Sequence, residues 1–404
     1  MAEKRRGRRW LRITGGVIAA LLLTVATLLM SAWSAFGQRA DGARLARMRA
    51  SPRWHDGAFV NPQAMWNDFR GAMAGTFDTS DDASPSGAVA VVRPSARAFA
   101  EAPASGLRVT WFGHSSTLIE IDGIRVLTDP IWSERASPVG WAGPTRWYSP
   151  PIALESLPPI DAVVISHDHF DHLDRATIMA MRSWSNLFIV PLGIGAHLAS
   201  WGIPDARVVE LDWWESKIVG GVQIVATPSR HASGRMLPQS DRTLWAGYAM
   251  LGATHHAFYS GDTGLHDTLE DIGRKLGPFD VTLIESGQYD AAWPDWHLGP
   301  EQAVEANRLV RGRVMIPVHW GLFQLAFHSW TEPVERVLAA GRCQGVDVLT
   351  PTPGESVEPT VVPRTSVVPW WPQLPWKTAA QAPVVATRNG VSTDRVTPAG
   401  CVVR

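Results

Sequence analysis

The chain is poor in cysteine: Cys343 and Cys401 are the only two in 404 residues. Two cysteines cannot form a disulfide framework or a thiolate-rich zinc module, so any metal here must rely on histidine and carboxylate ligands. It also lacks a charge of one dominant sign, with 37 basic and 38 acidic residues and a net charge of −1. That balance gives no electrostatic case for nucleic acid, which needs a basic face. No internal repeat is visible, which argues against a solenoid or propeller. Long apolar runs are missing too, except at one place. A basic start, MAEKRRGRRWLR, is followed by a stretch without charge at 13–36. About 20 apolar residues suffice to cross a hydrocarbon core, so this segment is expected to be a transmembrane helix, with cleavage near Gly37 as the alternative. Basic flanks stay in the cytoplasm. The expectation is therefore a single-pass protein of the cytoplasmic membrane with its main domain on the periplasmic or extracellular side.

What the chain does have is 45% hydrophobic residues, enough for a sizeable core, and 20 tryptophans. Residues 39–104 mix charge, proline and serine and are expected to form a linker and N-terminal extension. From about 105 to 357, short apolar runs of strand length such as LRVTWFG, AVVIS, VQIVAT and RVMIPV alternate with helical stretches at 175–184 and 299–310. That texture predicts a mixed α/β domain. The tail, 358–404, carries PWWPQLPW without lasting periodicity and is expected to be extended or disordered.

The chemistry concentrates in VVISHDHFDHLD, residues 163–174. In an extended segment positions i and i+2 project to one side, so His167 and His169 can grip one cation together. Asp171 and His172 follow where the chain turns towards a helix starting near Asp174, and they can face a second cation. Imidazole and carboxylate at this spacing suit zinc, manganese or iron. Three more residues are placed as His167 is, each after a short apolar run: His231 after VQIVATPSR, Asp262 in SGDTG, and His319 after RVMIPV. Strand ends gather along one sheet edge, where sites are built.

These residues carry a resemblance. The pattern resembles the metallo-β-lactamase-fold hydrolases. More narrowly, the chain is similar to the N-acylphosphatidylethanolamine-hydrolysing phospholipase D family and its bacterial members. WFGHSSTLIEIDG, LTDPIWSERASP, TPSRH, SGDTG, GPFD and VHWGLF carry the likeness across about 107–330. The resemblance implies an αββα sandwich with two zinc ions, or manganese or iron in their place. His167, His169 and His231 would hold the first, Asp171, His172 and His319 the second, with Asp262 bridging them. It implies hydrolysis of a phosphodiester in a phospholipid, with Asp171 and His297 as catalytic candidates. His297 matches a histidine near the lipid phosphate, or is a surface residue before a helix. His114 lines the cleft or, by preference, is structural, and Asp129 would orient a ligand histidine. Asp168 and Asp174 fall to supporting, capping or solvated roles rather than ligation. Glu285 stands where the mammalian lipase pattern has proline, a departure close to the cleft. The alternatives are hydrolysis of a lactone, thioester or small phosphodiester on the same fold, or a non-catalytic membrane-tethered binding domain. The expected partners are a phospholipid or small ester and a membrane; a homo-oligomer is compatible with the sequence.

Overall fold

The computed structural model describes residues 2–235, 240–361 and 368–396. Helix α1 (Ala2–Trp33) is followed by α2 (Gly42–Ala50), a hairpin of β1 (Trp54–His55) and β2 (Ala58–Phe59), and the short helix α3 (Phe69–Gly75). The central domain then begins with β3 (Leu107–Gly113), β4 (Ser116–Ile121) and β5 (Ile124–Thr128), continuing through β6 (Ala162–Val164), β7 (Leu187–Pro191) and β8 (Val208–Leu211). Helices α4 (Arg175–Ala180) and α5 (Ile194–Ser200) lie in the connections after β6 and β7. A second series comprises β9 (Ser216–Val219), β10 (Val222–Thr227), β11 (Gly247–Leu251), β12 (His256–Tyr259), β13 (Phe279–Glu285), β14 (Gly312–Val318) and β15 (Asp347–Val348). Helices α6 (Thr268–Leu276), α7 (Pro300–Leu309) and α8 (Glu332–Gln344) alternate with the last strands, and β16 (Ser356–Val357) returns to the first sheet.

Two seven-stranded sheets result, ordered β16-β3-β4-β5-β6-β7-β8 and β15-β14-β13-β12-β11-β10-β9. In each, strands joined by tight turns pair antiparallel, whereas β5 to β8 and β12 to β15 pair parallel, most of them through helical crossovers. Side chains alternate across a strand, and here the alternation separates two cores. Ile119, Val126, Ala162, Val164 and Ile189 face the second sheet's Ile224, Met250 and Ala257 in one cluster. Their neighbours Leu118, Leu127, Val163, Phe188 and Val190 join Ile178 and Leu198 of α4 and α5 in another. Helices α6 to α8 cover the second sheet with Leu269, Ile272, Val304 and Val337. Helix, sheet, sheet, helix is the αββα sandwich expected from the resemblance.

Three expectations fare differently. Residues 13–33 are helical, but among the described residues no helix is long and apolar enough to cross a membrane, so the transmembrane helix is not supported. Gly15, Gly16 and the threonines at 14, 24 and 27 interrupt the apolar run, and the Thr24 and Thr27 hydroxyls donate back to the carbonyls of Ala20 and Leu23. Residues 39–104 do more than link, since Met48, Phe59 and Phe99 are buried in the domain cores. Nor is the described part of the tail, through 396, loose. Trp371 is buried, its ring edge-on to Trp320 and Trp370, and its indole Nε1 donates to Glu335 at 2.8 Å. Periodicity could not reveal this, because the segment is held by individual aromatic and polar anchors rather than by a repeating face. Cys343, on α8, is disulfide-bonded; the sequence's other cysteine, Cys401, lies outside the described residues.

Replacing Trp371 with alanine should lower unfolding stability by about 3–5 kcal/mol, the cost of deleting a large buried aromatic. Denaturant titration measures this, and an unchanged midpoint would show the tail to be dispensable to the fold.

Candidate metal centre

The turns after β3, β5 and β6 in one sheet and after β10, β12 and β14 in the other meet at one end of the sandwich. Ser166 and His167 follow β6, and His169, Asp171 and His172 complete the loop before α4. Asp174 caps that helix, accepting from the Ala176 amide at 3.1 Å and from Ser133. Asp168 turns away from the cluster, to the Gly234 amide and His197. Both aspartates thus take the capping and supporting roles expected of them. From the second sheet come His231, Asp262 and His319. His114 and His319 sit at positive φ, 52° and 65°, a conformation costly for residues with a side chain. They hold each other there. The His319 amide donates to the His114 carbonyl at 2.9 Å, and the His114 amide donates to the Trp320 carbonyl at 3.1 Å.

The structure brings all seven expected ligand residues together. His167, His169 and His231 converge in one group, with His167 Nε2 and His169 Nδ1 2.8 Å apart. Asp171, His172 and His319 converge in another, joined by His114, whose Nε2 lies 2.9 Å from Asp171 Oδ2. Asp262 lies between the groups. Its Oδ2 is 3.1 Å from His172 Nε2, 3.7 Å from His167 Nε2 and 3.8 Å from His231 Nε2, and its Oδ1 is 3.3 Å from His319 Nδ1. Donor atoms at these separations fit two adjacent cations better than a protein-only network. Two observations make the case. Asp262 Oδ1, His172 Nε2 and His114 Nδ1 are buried without a hydrogen-bond partner, which is costly unless something else satisfies them. Burial and the neighbouring imidazoles also hold His167, His231 and His319 well below the ordinary histidine range, which leaves neutral rings with lone pairs to offer. For His172 burial works the same way, but the carboxylates of Asp262, Asp171 and Asp129 outweigh it and raise its pKa.

Behind the cluster, Asp129 does what the sequence suggested. Its Oδ2 accepts from His172 Nδ1 at 2.6 Å and its Oδ1 from the Ser166 amide at 2.7 Å, and the Tyr259 hydroxyl adds a third bond. One buried carboxylate therefore fixes His172 and the start of the His167 loop from both sheets. His114 is buried against Asp171 and His319, so its preferred structural reading becomes support of a metal-facing carboxylate. Asn61, in the N-terminal extension, went unread by the sequence argument. Its side-chain amide donates to the His231 carbonyl at 2.6 Å and its oxygen accepts from the His231 amide.

His297 lies in the segment between β13 and α7, its ring stacked on His319 at 5.1 Å. Its Nδ1 is 3.2 Å from Glu285, the last residue of β13. Burial pushes the Glu285 carboxyl up to about 7, and its carboxylate in turn raises His297 against the effect of burial on that ring. A cleft of about 420 Å³ opens over these groups, with His169, Asp171, Asp262, His297 and His319 on its lining and Phe69, Trp293, Trp296 and Leu325 as apolar wall. A larger cavity of about 760 Å³, lined by Asp78, Tyr289 and Trp376 among others, contains none of the clustered ligands.

Replacing Asp129 with alanine should weaken metal binding by about 10–100-fold, the usual cost of losing a partner that orients a ligand histidine. Chelator competition on the folded variant measures it, and wild-type affinity would remove Asp129 from this role.

The Beta-lactamase superfamily domain model matches residues 124–320. Over 378 residues the chain is 44% identical to an uncharacterized protein of Mycobacterium tuberculosis, covering 90% of this chain and 99% of that one. It is 38% identical over 233 residues to the N-acyl-phosphatidylethanolamine-hydrolyzing phospholipase D 1 of Caenorhabditis elegans, covering 55% of this chain and 65% of the relative. A solved structure of a possible metal-dependent hydrolase from Veillonella parvula shares the fold, with a TM-score of 0.50, 18% identity, and coverage of 62% of this chain and 98% of that one. With the sandwich, the ligand cluster at its edge and the domain match together, the chain carries a domain of the Beta-lactamase superfamily and is a metal-dependent hydrolase.

Proposed function

We propose that the chain is a di-zinc phosphodiesterase of the phospholipase D type, acting on N-acylated phosphatidylethanolamine or a related phospholipid. The observation that carries this reading is Asp262, set between two groups of three expected ligands with imidazole nitrogens at 3.1–3.8 Å around it. Two cations held by such a set lower the pKa of a water towards neutrality and offset charge on a phosphoryl oxygen. The chain's own side chains do the rest. Asp171, steadied by His114, and His172, steadied by Asp129, hold the second group of ligands in place. His297 stands on the cleft lining, within reach of a phosphate oxygen or a departing group. Phe69, Trp293, Trp296 and Leu325 give the cleft an apolar wall suited to acyl chains and unfavourable to bulk water. The Caenorhabditis elegans relative's name supports the substrate class.

The proposal places the domain at a membrane surface on the outer, periplasmic or extracellular, side, with the exposed apolar residues of α1 as a contact that lies on the bilayer rather than crossing it. Support comes from the basic N-terminus ahead of an uncharged stretch and from Trp10, Val17, Ile18, Leu21 and Leu22, all exposed on that helix.

The test is a hydrolysis screen of the zinc-loaded protein against N-acylphosphatidylethanolamine vesicles, bis(p-nitrophenyl) phosphate, lactones and thioesters. Turnover of the phosphodiesters is expected; turnover of a lactone or thioester alone would overturn the reading in favour of another scissile bond, and none at all would favour a binding domain. Asp262→Asn should abolish the hydrolysis while leaving the circular dichroism spectrum unchanged, and retained activity would contradict its central place.

A further inference from the structure

Glu285 is buried to 0% exposure at the end of β13, and its ion-pair partner is His297. A carboxylate so far from water must be satisfied from within. Oε1 accepts from the Thr263 amide at 2.9 Å and from the Leu298 amide at 3.2 Å, and both oxygens lie 3.2 Å from His297 Nδ1. The two amides are informative. Thr263 is the residue after Asp262 and Leu298 the residue after His297. One side chain therefore ties the loop that carries Asp262 to the segment that carries His297. The Glu285 amide, donating to Ser260 Oγ at 3.0 Å, secures the same loop at its other end. With Nδ1 turned into the protein, Nε2 is the nitrogen left for the cleft that the ring lines.

We propose that Glu285 is the positioning residue for His297: it fixes the ring plane and the tautomer with the proton on Nδ1, so that Nε2 addresses the phosphoryl oxygens of a bound substrate. The assignment deepens the phosphodiesterase reading and rests on it for the nature of the substrate, but the orientation itself does not depend on turnover. The ring is clamped on its faces as well, stacked on His319 at 17° and edge-on to His231 at 5.2 Å. Stacking leaves the in-plane choice of nitrogen free, and the Glu285 bond at 3.2 Å decides it, with Asp262 Oδ2 farther from the same nitrogen at 3.9 Å.

Glu285→Gln separates these contributions. The glutamine oxygen can still accept from Thr263 and Leu298, whereas its amide donates to Nδ1 and so drives the ring proton to Nε2. In the full chain labelled with 15N-histidine, the resonance lost in His297→Asn should report a protonated Nδ1 in the wild type and a protonated Nε2 in Glu285→Gln. A wild-type ring protonated on Nε2 alone overturns the proposal without reference to any variant. Against bis(p-nitrophenyl) phosphate, Glu285→Gln should lower kcat by about 10–100-fold, the range for partners that orient a functional histidine, with KM and zinc content little changed. The Glu285→Gln/His297→Asn double variant should be no slower than His297→Asn alone. Additive losses would mean that Glu285 acts elsewhere. If the wild type does not hydrolyse this substrate, the phosphodiesterase reading fails while the tautomer measurement still decides the role of Glu285.

Discussion

Around Asp262 four imidazole nitrogens approach within 3.8 Å of a carboxylate that is nearly inaccessible to water. Crowding so many ionisable groups out of solvent opposes folding, because each loses hydration and several would repel if protonated. The architecture around the cluster reads as a set of answers to that cost. Asp129 gives His172 a proton acceptor, His114 gives Asp171 a donor, and Asn61 satisfies the backbone of His231. The unpartnered atoms that remain, Asp262 Oδ1 and His172 Nε2, point at the place where cations would complete the balance.

Two sheets are needed because no single strand end could supply this set. The His167 loop and Asp129 belong to one sheet, and His231, Asp262 and His319 to the other, so the cluster exists only when the sandwich is closed. Tyr259, on β12, reaches across to Asp129 on the opposite sheet, and the paired amides of His114 and His319 stitch the edge shut. Packing of the core and assembly of the site are thus one event.

The seven expected ligand positions were legible from two signals together: polar residues that follow short apolar runs at four places in the chain, and the family resemblance that assigned them to two cations. Asp174 as a helix cap and Asp129 as an orienting group were legible on similar grounds. What escaped was everything set by meetings distant in sequence. Glu285 read only as a departure from a proline, since nothing before it in the chain signals a histidine 12 residues later turning back onto it. The described part of the tail read as loose because Trp370 and Trp371 find their partners on Trp320 and α8 rather than in a periodic neighbour. The N-terminal extension read as a linker because its anchoring residues, Met48, Phe59 and Asn61, are single positions that form no periodic face.

The junction after α1 carries a mechanical consequence. The Trp201 indole donates to the Ser34 carbonyl, Arg235 to that of Ala35, and the Gln38 amide to His197, while Phe36 meets Phe170 edge-on. Phe170 stands inside the ligand loop, Arg235 also bonds the Asp168 and Leu173 carbonyls, and His197 pairs with Asp168. The bearing of the first helix is thereby tied to the backbone of the loop that holds His167 to His172. Whatever fixes the direction of that helix also aims the mouth of the cleft.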